Sequence, residues 1–495
     1  MPPTPCGPRD ARSCAVRIVG FHPLPLGALR MSPTPARWLS SLRRLVHADE
    51  TLAPETQLLT VIDEGLATRI LDLAIRIGET MLVVGAPANE VTLTIVRVCG
   101  AYGLDPVHVD VTYNSITIAH SLPGAAHPTT LLRVVRGSVP DHAKLQRLQA
   151  LVSEITDGLD LEAAITRCRA IRRLPFRYRP AAVVGAQATL ALGVAIMFGA
   201  NWLALILSFV AAALAATTQY LLARVRVPYF FAQIAGGFVI TVVAALSPLL
   251  RYTGLDAAAA IRPSVIVASG IVLMLAGLTV VGAAQDAIDG FALTATGRIL
   301  ELTTQTLGVV LGILAGLETV RVLGLGMSPP STALPLGPLP VQFVGAAVIA
   351  VAVAIYNGAG ARIVLVSAGL SIIAWLGYIA ASGVGFEVAA ASGVGAFVAS
   401  FIGVVVAYRL HVPSVAITTA AILPMVPGAA VFRGLLGIVE SGDDAAVLMT
   451  GVTTLAGAAT IGIALAVGAS LGIYLGQPVR ATLSSVVRAR ARARR

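Results

Sequence analysis

The sequence predicts a mainly α-helical polytopic membrane protein, with about ten transmembrane helices in two inverted five-helix repeats and a small N-terminal α+β cytoplasmic domain. Three observations carry this. Of 495 residues, 56% are apolar and only 12% charged, a balance foreign to soluble multi-domain chains. From Pro180 to Ala223 no residue is charged, and a span needs only about 20 apolar residues. One motif also occurs twice: Pro263-Ser264-Val265 and Pro413-Ser414-Val415 each open an apolar segment.

The net charge of +10 does not point to nucleic acid, because Lys144 is the lone lysine and the arginines gather at two places. Arg167, Arg169, Arg172, Arg173, Arg177 and Arg179 precede the first span, and Arg480, Arg488, Arg490, Arg492, Arg494 and Arg495 follow the last. Under the positive-inside rule both termini are expected in the cytoplasm of a bacterial inner-membrane protein. Cys6, Cys14, Cys99 and Cys168 have neither metal-ligand spacing nor a disulfide framework, so no metal or cofactor is expected.

Residues 1–57 are rich in Pro, Arg and Ser and read as a disordered tail. Pro23 and Pro25 interrupt its one weakly apolar run, which argues against a signal peptide; Met31 is an alternative start. The α+β domain is expected over 58–179. Helical periodicity runs from Leu58 to about Val84, Gly85 breaks it, and Pro87 opens a second helix to Cys99. Alternation then predicts a strand pair, one strand from Val107 to Thr112 and one after Asn114-Ser115 through Ile116 and Ile118, with another strand at 129–136, followed by helices near 141–157 and 160–173.

The first membrane repeat is expected over 180–320, a Pro/Gly-rich linker over 321–340, the second repeat over 341–476 and a basic cytoplasmic tail over 477–495. Within the first repeat two helices meet at Gly199-Ala200-Asn201, a third runs from about Phe230 to Leu250, a fourth from Ser264 to Ala284 and a fifth from Ile299 to Leu317. The second repeat places spans near 341–357, 363–381, 388–408, 414–437 and 445–474. If the Pro-Ser-Val segments correspond, the fourth span matches the ninth, each half holds five helices, and that odd number inverts the second half relative to the first.

The segment from Arg409 to Gly434 carries Pro424 and Pro427 inside an apolar helix, where each ring removes a donor and clashes with the preceding turn. The helix is expected to break there. The carbonyls of Ala420 and Leu423 then lose their usual partners, and in hydrocarbon something polar must meet them. Ala420, Leu423, Pro424, Pro427, Gly428 and Arg433, with Gly277 from the related earlier segment, are the candidate solute-binding residues. Arg433 offers a planar fork for a carboxylate. Asp286, Asp289 and Glu301, beside Arg298, are candidate proton carriers; the alternative is an interface loop whose charges neutralise one another. Gln219, Gln233, Gln285 and Asn357 read as ties between helices. His108, Asp110, Ser115 and His120 supply hydrolase residue types, yet no Gly-x-Ser-x-Gly elbow is present and strand alternation accounts for His108 and Asp110. The chain is not expected to be an enzyme.

Four stretches in order, IRIGETMLVVGAPANEV, HVDVTYNSITIAH, IVLMLAGLTVVGAAQD and ILPMVPGAAVFRG, resemble the bacterial threonine/serine exporter family from about residue 60 to 475, in its fused form. The resemblance implies a carrier that expels threonine and serine with the proton-motive force. Its partners would be amino acid, protons and lipid bilayer, and a homo-oligomer is compatible with it. Split relatives imply a rival reading as a dicarboxylate exporter, for example of succinate; a membrane-anchored hydrolase or sensor is a third. The chain departs from internal symmetry in having Leu275-Ala276-Gly277 where the second copy has Val426-Pro427-Gly428.

Overall fold

The computed structural model describes residues 63–121, 127–135, 137, 139–253, 261–274, 277–324, 335–410, 413–441 and 443–493. The expected tail 1–57, the start at Met31 and Leu275-Ala276 lie outside these residues.

The chain opens with α1 (Glu64–Val83), capped by the Asp63 carboxylate, which accepts from the Leu66 N–H at 2.7 Å. Gly85 then adopts φ +90°, a conformation that L side chains resist, and Pro87 leads into α2 (Ala88–Ala101). Strands β1 (Val107–Thr112), β2 (Ser115–His120) and β3 (Thr129–Val134) form an antiparallel sheet in the order β1-β2-β3. In central β2 every second residue, Ile116, Ile118 and His120, is buried, the period of two expected of a sheet with one covered face. Helices α3 (His142–Thr156) and α4 (Leu161–Arg173) start at the capping side chains of Asp141 and Asp160. Ile70, Leu71, Met81, Ile95, Ile118 and Leu145 belong to one apolar core shared by these helices and the sheet.

Six helices follow: α5 (Pro180–Met197), α6 (Trp202–Arg224), α7 (Tyr229–Leu246), α8 (Pro263–Met274), α9 (Gly277–Ile288) and α10 (Ala292–Val322). A second set comprises α11 (Leu339–Tyr356), α12 (Ala361–Gly383), α13 (Val388–Leu410), α14 (Ser414–Ile422), α15 (Gly428–Glu440) and α16 (Ala445–Ala493). Among the described residues eight helices are long and apolar enough to cross a membrane, or nine if the bent pair α14–α15 is one span. Where the sequence predicts one fourth helix from Ser264 to Ala284, the backbone is helical in α8 and again in α9, on either side of residues 275–276, which lie outside the described residues. The fifth helix begins at Ala292 and continues to Val322, beyond both expected ends and into the presumed linker. Hydropathy marks where a helix turns apolar, whereas the backbone ladder continues through its polar turns.

Both sets are built with the same internal packing. On α10, Gly308, Gly312 and Gly316 lie against α7, and on α16, Gly468, Gly472 and Gly476 lie against α13. A Cβ at Gly308 would sit 2.9 Å from the Phe230 carbonyl oxygen, and one at Gly472 2.6 Å from that of Phe397; Gly312 and Gly468 meet the carbonyls of Ile234 and Gly393 still more closely. Glycine every fourth residue aligns bare backbone along one helix face, and packing in lipid rewards that close approach.

Candidate functional site

The second set is interrupted where Pro424 and Pro427 fall. After α14 the chain tightens into a 3-10 turn, Leu423–Met425, and resumes as α15 at an angle of 54°. Pro427 is the N-cap of α15 and its carbonyl accepts from the N–H groups of Ala430 and Val431, each at 3.0 Å. Of the two carbonyls expected to be stranded, that of Leu423 is recovered: the Val426 N–H donates to it at 3.0 Å. A turn with i to i+3 bonding needs no donor from either proline, so the break feeds part of itself. Ala420, Leu423, Pro427 and Gly428 are buried and Pro424 is half-buried, so the break lies inside the protein. Arg433 is half-buried on α15, and among the described residues it makes no hydrogen bond or ion pair. Its neighbour Phe432 is buried with Ile266, Val267 and Ile271 of α8, which brings the interrupted helix against the earlier Pro-Ser-Val segment.

In the earlier segment a side-chain amide meets the backbone. Gln233 donates through Nε2 to the carbonyl of Met274, the last residue of α8, at 3.2 Å, and Gln219 donates to Gln233 Oε1 at 2.9 Å. The two glutamines thus tie helices, as expected of them. Gly277 lies in helical backbone beyond residues 275–276.

The three candidate proton carriers gather at the face where α9 and α10 meet the α+β segment, away from the prolines. Asp286 is buried, pairs with Arg298 at 2.9 Å and accepts from the Ala88 backbone N–H at the start of α2. Asp289 accepts from Asn89 Nδ2 at 3.3 Å. Glu301 accepts from the Tyr113 hydroxyl at 2.7 Å. Tyr113, in the turn between β1 and β2, packs its ring on Gly297 of α10. Burial, reinforced by the bond to Glu301, pushes its hydroxyl up to about 12, so it remains a donor at neutral pH. The 357–360 loop joins the same face, where Asn357 accepts from the His142 N–H at 2.8 Å.

Between this face and α13, α14 and α16 lies a cavity of about 810 Å³. Its membrane-side wall includes Ser414, Thr418, Thr419 and Ile422 of α14, the helix that runs into the break, together with Ser470 and Tyr474 of α16. Its other wall carries Asn89, Glu90, Thr94 and Arg97 of α2 and Gln149 and Ser153 of α3, with Gln285 and Asp289 at one side. Asp289 is the sole sequence-predicted site residue on this lining. Glu90 lies with its Oε1 accepting from Gln149 at 2.5 Å and its Oε2 buried without a hydrogen bond. Burial raises its carboxyl above the ordinary range, against the lowering effects of Gln149 and Arg97. Sequence reasoning passed over Glu90, Arg97 and Gln149 as functional residues. Glu90 and Arg97 share a helix face at two-turn spacing, a legible signal, but their partner Gln149 comes from a distant helix.

The hydrolase residue types are not brought together. Ser115 meets Thr112 in the hairpin, whereas His120 stands at the other end of the same strand with Nδ1 2.7 Å from the Pro106 carbonyl oxygen. His108 and Asp110 are exposed on β1. Among the described residues no group of His, Cys, Asp and Glu could hold a metal ion.

Two family models match the chain in tandem: "Putative threonine/serine exporter" over residues 72–320 and "Threonine/Serine exporter, ThrE" over residues 342–474. The "Probable threonine/serine exporter" of Mycobacterium tuberculosis (strain ATCC 25618 / H37Rv) is 33% identical over 431 residues, covering 85% of this chain and 78% of the relative. The chain belongs to the threonine/serine exporter family. The "Threonine/serine exporter" of Corynebacterium glutamicum, 29% identical over 452 residues, covers 87% of both chains. No solved structure matches. In this family member the two models meet between α10 and α11, the same boundary that divides the two glycine-packed sets, and the α+β segment belongs to the first model.

Proposed function

We propose that this chain is a secondary active exporter of threonine and serine, driven by the proton-motive force across the bacterial inner membrane. One observation carries the reading: the break between α14 and α15 is buried, and the half leading into it lines a cavity of about 810 Å³ whose walls include polar side chains. An anchor would have no use for such a break, whereas discontinuous helices at the meeting of two repeats suit a solute site. The relatives' names supply the solute class.

In this reading α8–α9 and α14–α15 are the fourth spans of two inverted five-span repeats, ten spans in all, with both termini and the α+β domain in the cytoplasm. The solute binds at the break among Ala420, Pro424, Pro427 and Gly428, with Gly277 opposite. The N-terminal end of α15 and the unpaired Arg433 guanidinium meet its carboxylate. Of Asp286, Asp289 and Glu301, the proton is carried by Asp289, because it faces the cavity and is held there only by the neutral Asn89 amide, whereas Asp286 is paired with the Arg298 cation and Glu301 is not on the cavity lining. Alternating access follows if the two repeats rock about the buried contact between Phe432 and α8.

Purified protein in liposomes should move labelled threonine and serine against their gradients when a proton gradient is imposed, and should not move succinate. Replacing Pro424→Ala and Pro427→Ala together restores two backbone donors and should abolish transport while the protein still inserts. Undiminished transport by that variant would remove the break from the mechanism, and succinate transport without threonine transport would favour the dicarboxylate reading.

A further inference from the structure

We infer that the cavity between α2 and α14 is a second recognition site, one that takes a free zwitterionic amino acid, with Glu90 receiving its ammonium group and Arg97 its carboxylate. The inference rests on the exporter reading and adds to it a selecting step ahead of the break.

Glu90 and Arg97 both line the cavity and lie seven residues apart on α2. That is two turns, about 10 Å along one helix face. Two charge-assisted bonds of about 2.8 Å, one at each end, and the backbone of one small amino acid fill such a gap once the side chains lean together.

Each charged group has unused bonding capacity. Gln149 holds Glu90 through Oε1 and leaves Oε2 buried with no donor. A buried acceptor left without a donor is unfavourable, so a ligand N–H there is favourable. Arg97 is exposed and, among the described residues, makes no hydrogen bond or ion pair, although its guanidinium presents a five-donor fork. Thr94 and Ser153 place hydroxyls on the same wall, and Ser414 and Ser470 face them from the membrane side. These suit the hydroxyl of a small polar side chain.

The charge balance sets the ligand class. Two carboxylates, Glu90 and Asp289, face the cavity against one guanidinium, Arg97. A zwitterion finds a partner there for each of its charges, whereas a dicarboxylate meets more like charge than unlike. From the cavity, α14 leads through Thr418 and Ile422 to the turn at Leu423. A captured solute therefore starts beside the interrupted helix.

The test uses the full chain in nanodiscs and three labelled probes: L-threonine, N-acetyl-L-threonine, which lacks the ammonium charge, and L-threoninamide, which lacks the carboxylate. Wild type should bind threonine and reject both analogues. Glu90→Gln keeps a partner for Gln149 and should weaken threonine about tenfold, the loss of one charge-assisted bond, while narrowing its preference over N-acetyl-threonine. Arg97→Met, at an exposed position, should weaken threonine similarly while narrowing its preference over threoninamide. The inference falls if both variants bind threonine like wild type, or if they weaken every probe alike. Transport by wild type separates the two claims: threonine export with unchanged binding in the variants overturns this site alone, and no threonine export overturns the exporter reading together with it. Should Glu90→Gln fail to fold, the Arg97→Met arm decides.

Discussion

His142 begins α3 with its side chain buried and its Nδ1 without a hydrogen bond. Burial lowers its imidazole to about 4. Above the ordinary value near 6.5 the ring is neutral folded or unfolded, and stability is complete. As pH falls from there towards 4 the unfolded chain binds a proton that the folded chain refuses, so stability is lost, by up to about 3 kcal/mol. Thermal unfolding at pH 7 and pH 5 should therefore show a smaller acid loss in His142→Leu than in wild type; equal losses would mean the ring already titrates freely. Such a residue is legible in sequence as a histidine near a helix start, but its burial depends on the 357–360 loop, which covers it from elsewhere in the chain. Gln233 is the converse case. A glutamine in an apolar span announces a polar partner, and only packing could say that the partner is the Met274 carbonyl.

Helix boundaries were largely readable because apolar periodicity and punctuation agree. Pro180, Asn201, Gly85 and the 105–106 change of period all fall where elements begin or end. The break at Pro424 and Pro427 was readable for the same reason, since two rings in a single helix remove its donors whatever surrounds it. What the helix does next was not readable. The 3-10 turn that returns a donor to Leu423 depends on how α14 and α15 pack, with Met425 pressed on Gly395 of α13. The glycine rows of α10 and α16 set the helix separation, so Gly312→Ala should destabilise the protein by about 1–3 kcal/mol through a clash with the Ile234 carbonyl. Gly457→Ala, on the same α16 but with open space around it, should leave the melting temperature of detergent-purified protein unchanged or slightly raised. A tolerant Gly312 would show that the two helices can part without cost.

At the scale of the whole molecule, the carboxylates that sequence assigns to proton transfer form much of the joint between the α+β segment and the helices beyond it. Asp286→Asn would leave the partly exposed Arg298 without its anion, a change that costs less than the roughly 3–5 kcal/mol of a fully buried pair. Limited proteolysis of membranes should then release the α+β segment faster than in wild type, and Tyr113→Phe should act in the same direction but more weakly, since its bond to Glu301 is partly exposed. Unchanged cleavage in both variants would show that the joint is held elsewhere, for instance through Asn357 and His142. The sequence by itself determined the membrane class, the order of elements, the interrupted helix and the family resemblance, because composition, periodicity and proline chemistry act over a few neighbouring residues. Tertiary structure alone decided that Asp286, Asp289 and Glu301 face the α+β segment, that Glu90 and Arg97 share a cavity with α14, and that the interrupted helix touches α8 through Phe432. Those outcomes join residues separated by long stretches of chain, and no local rule fixes which distant surfaces pack together.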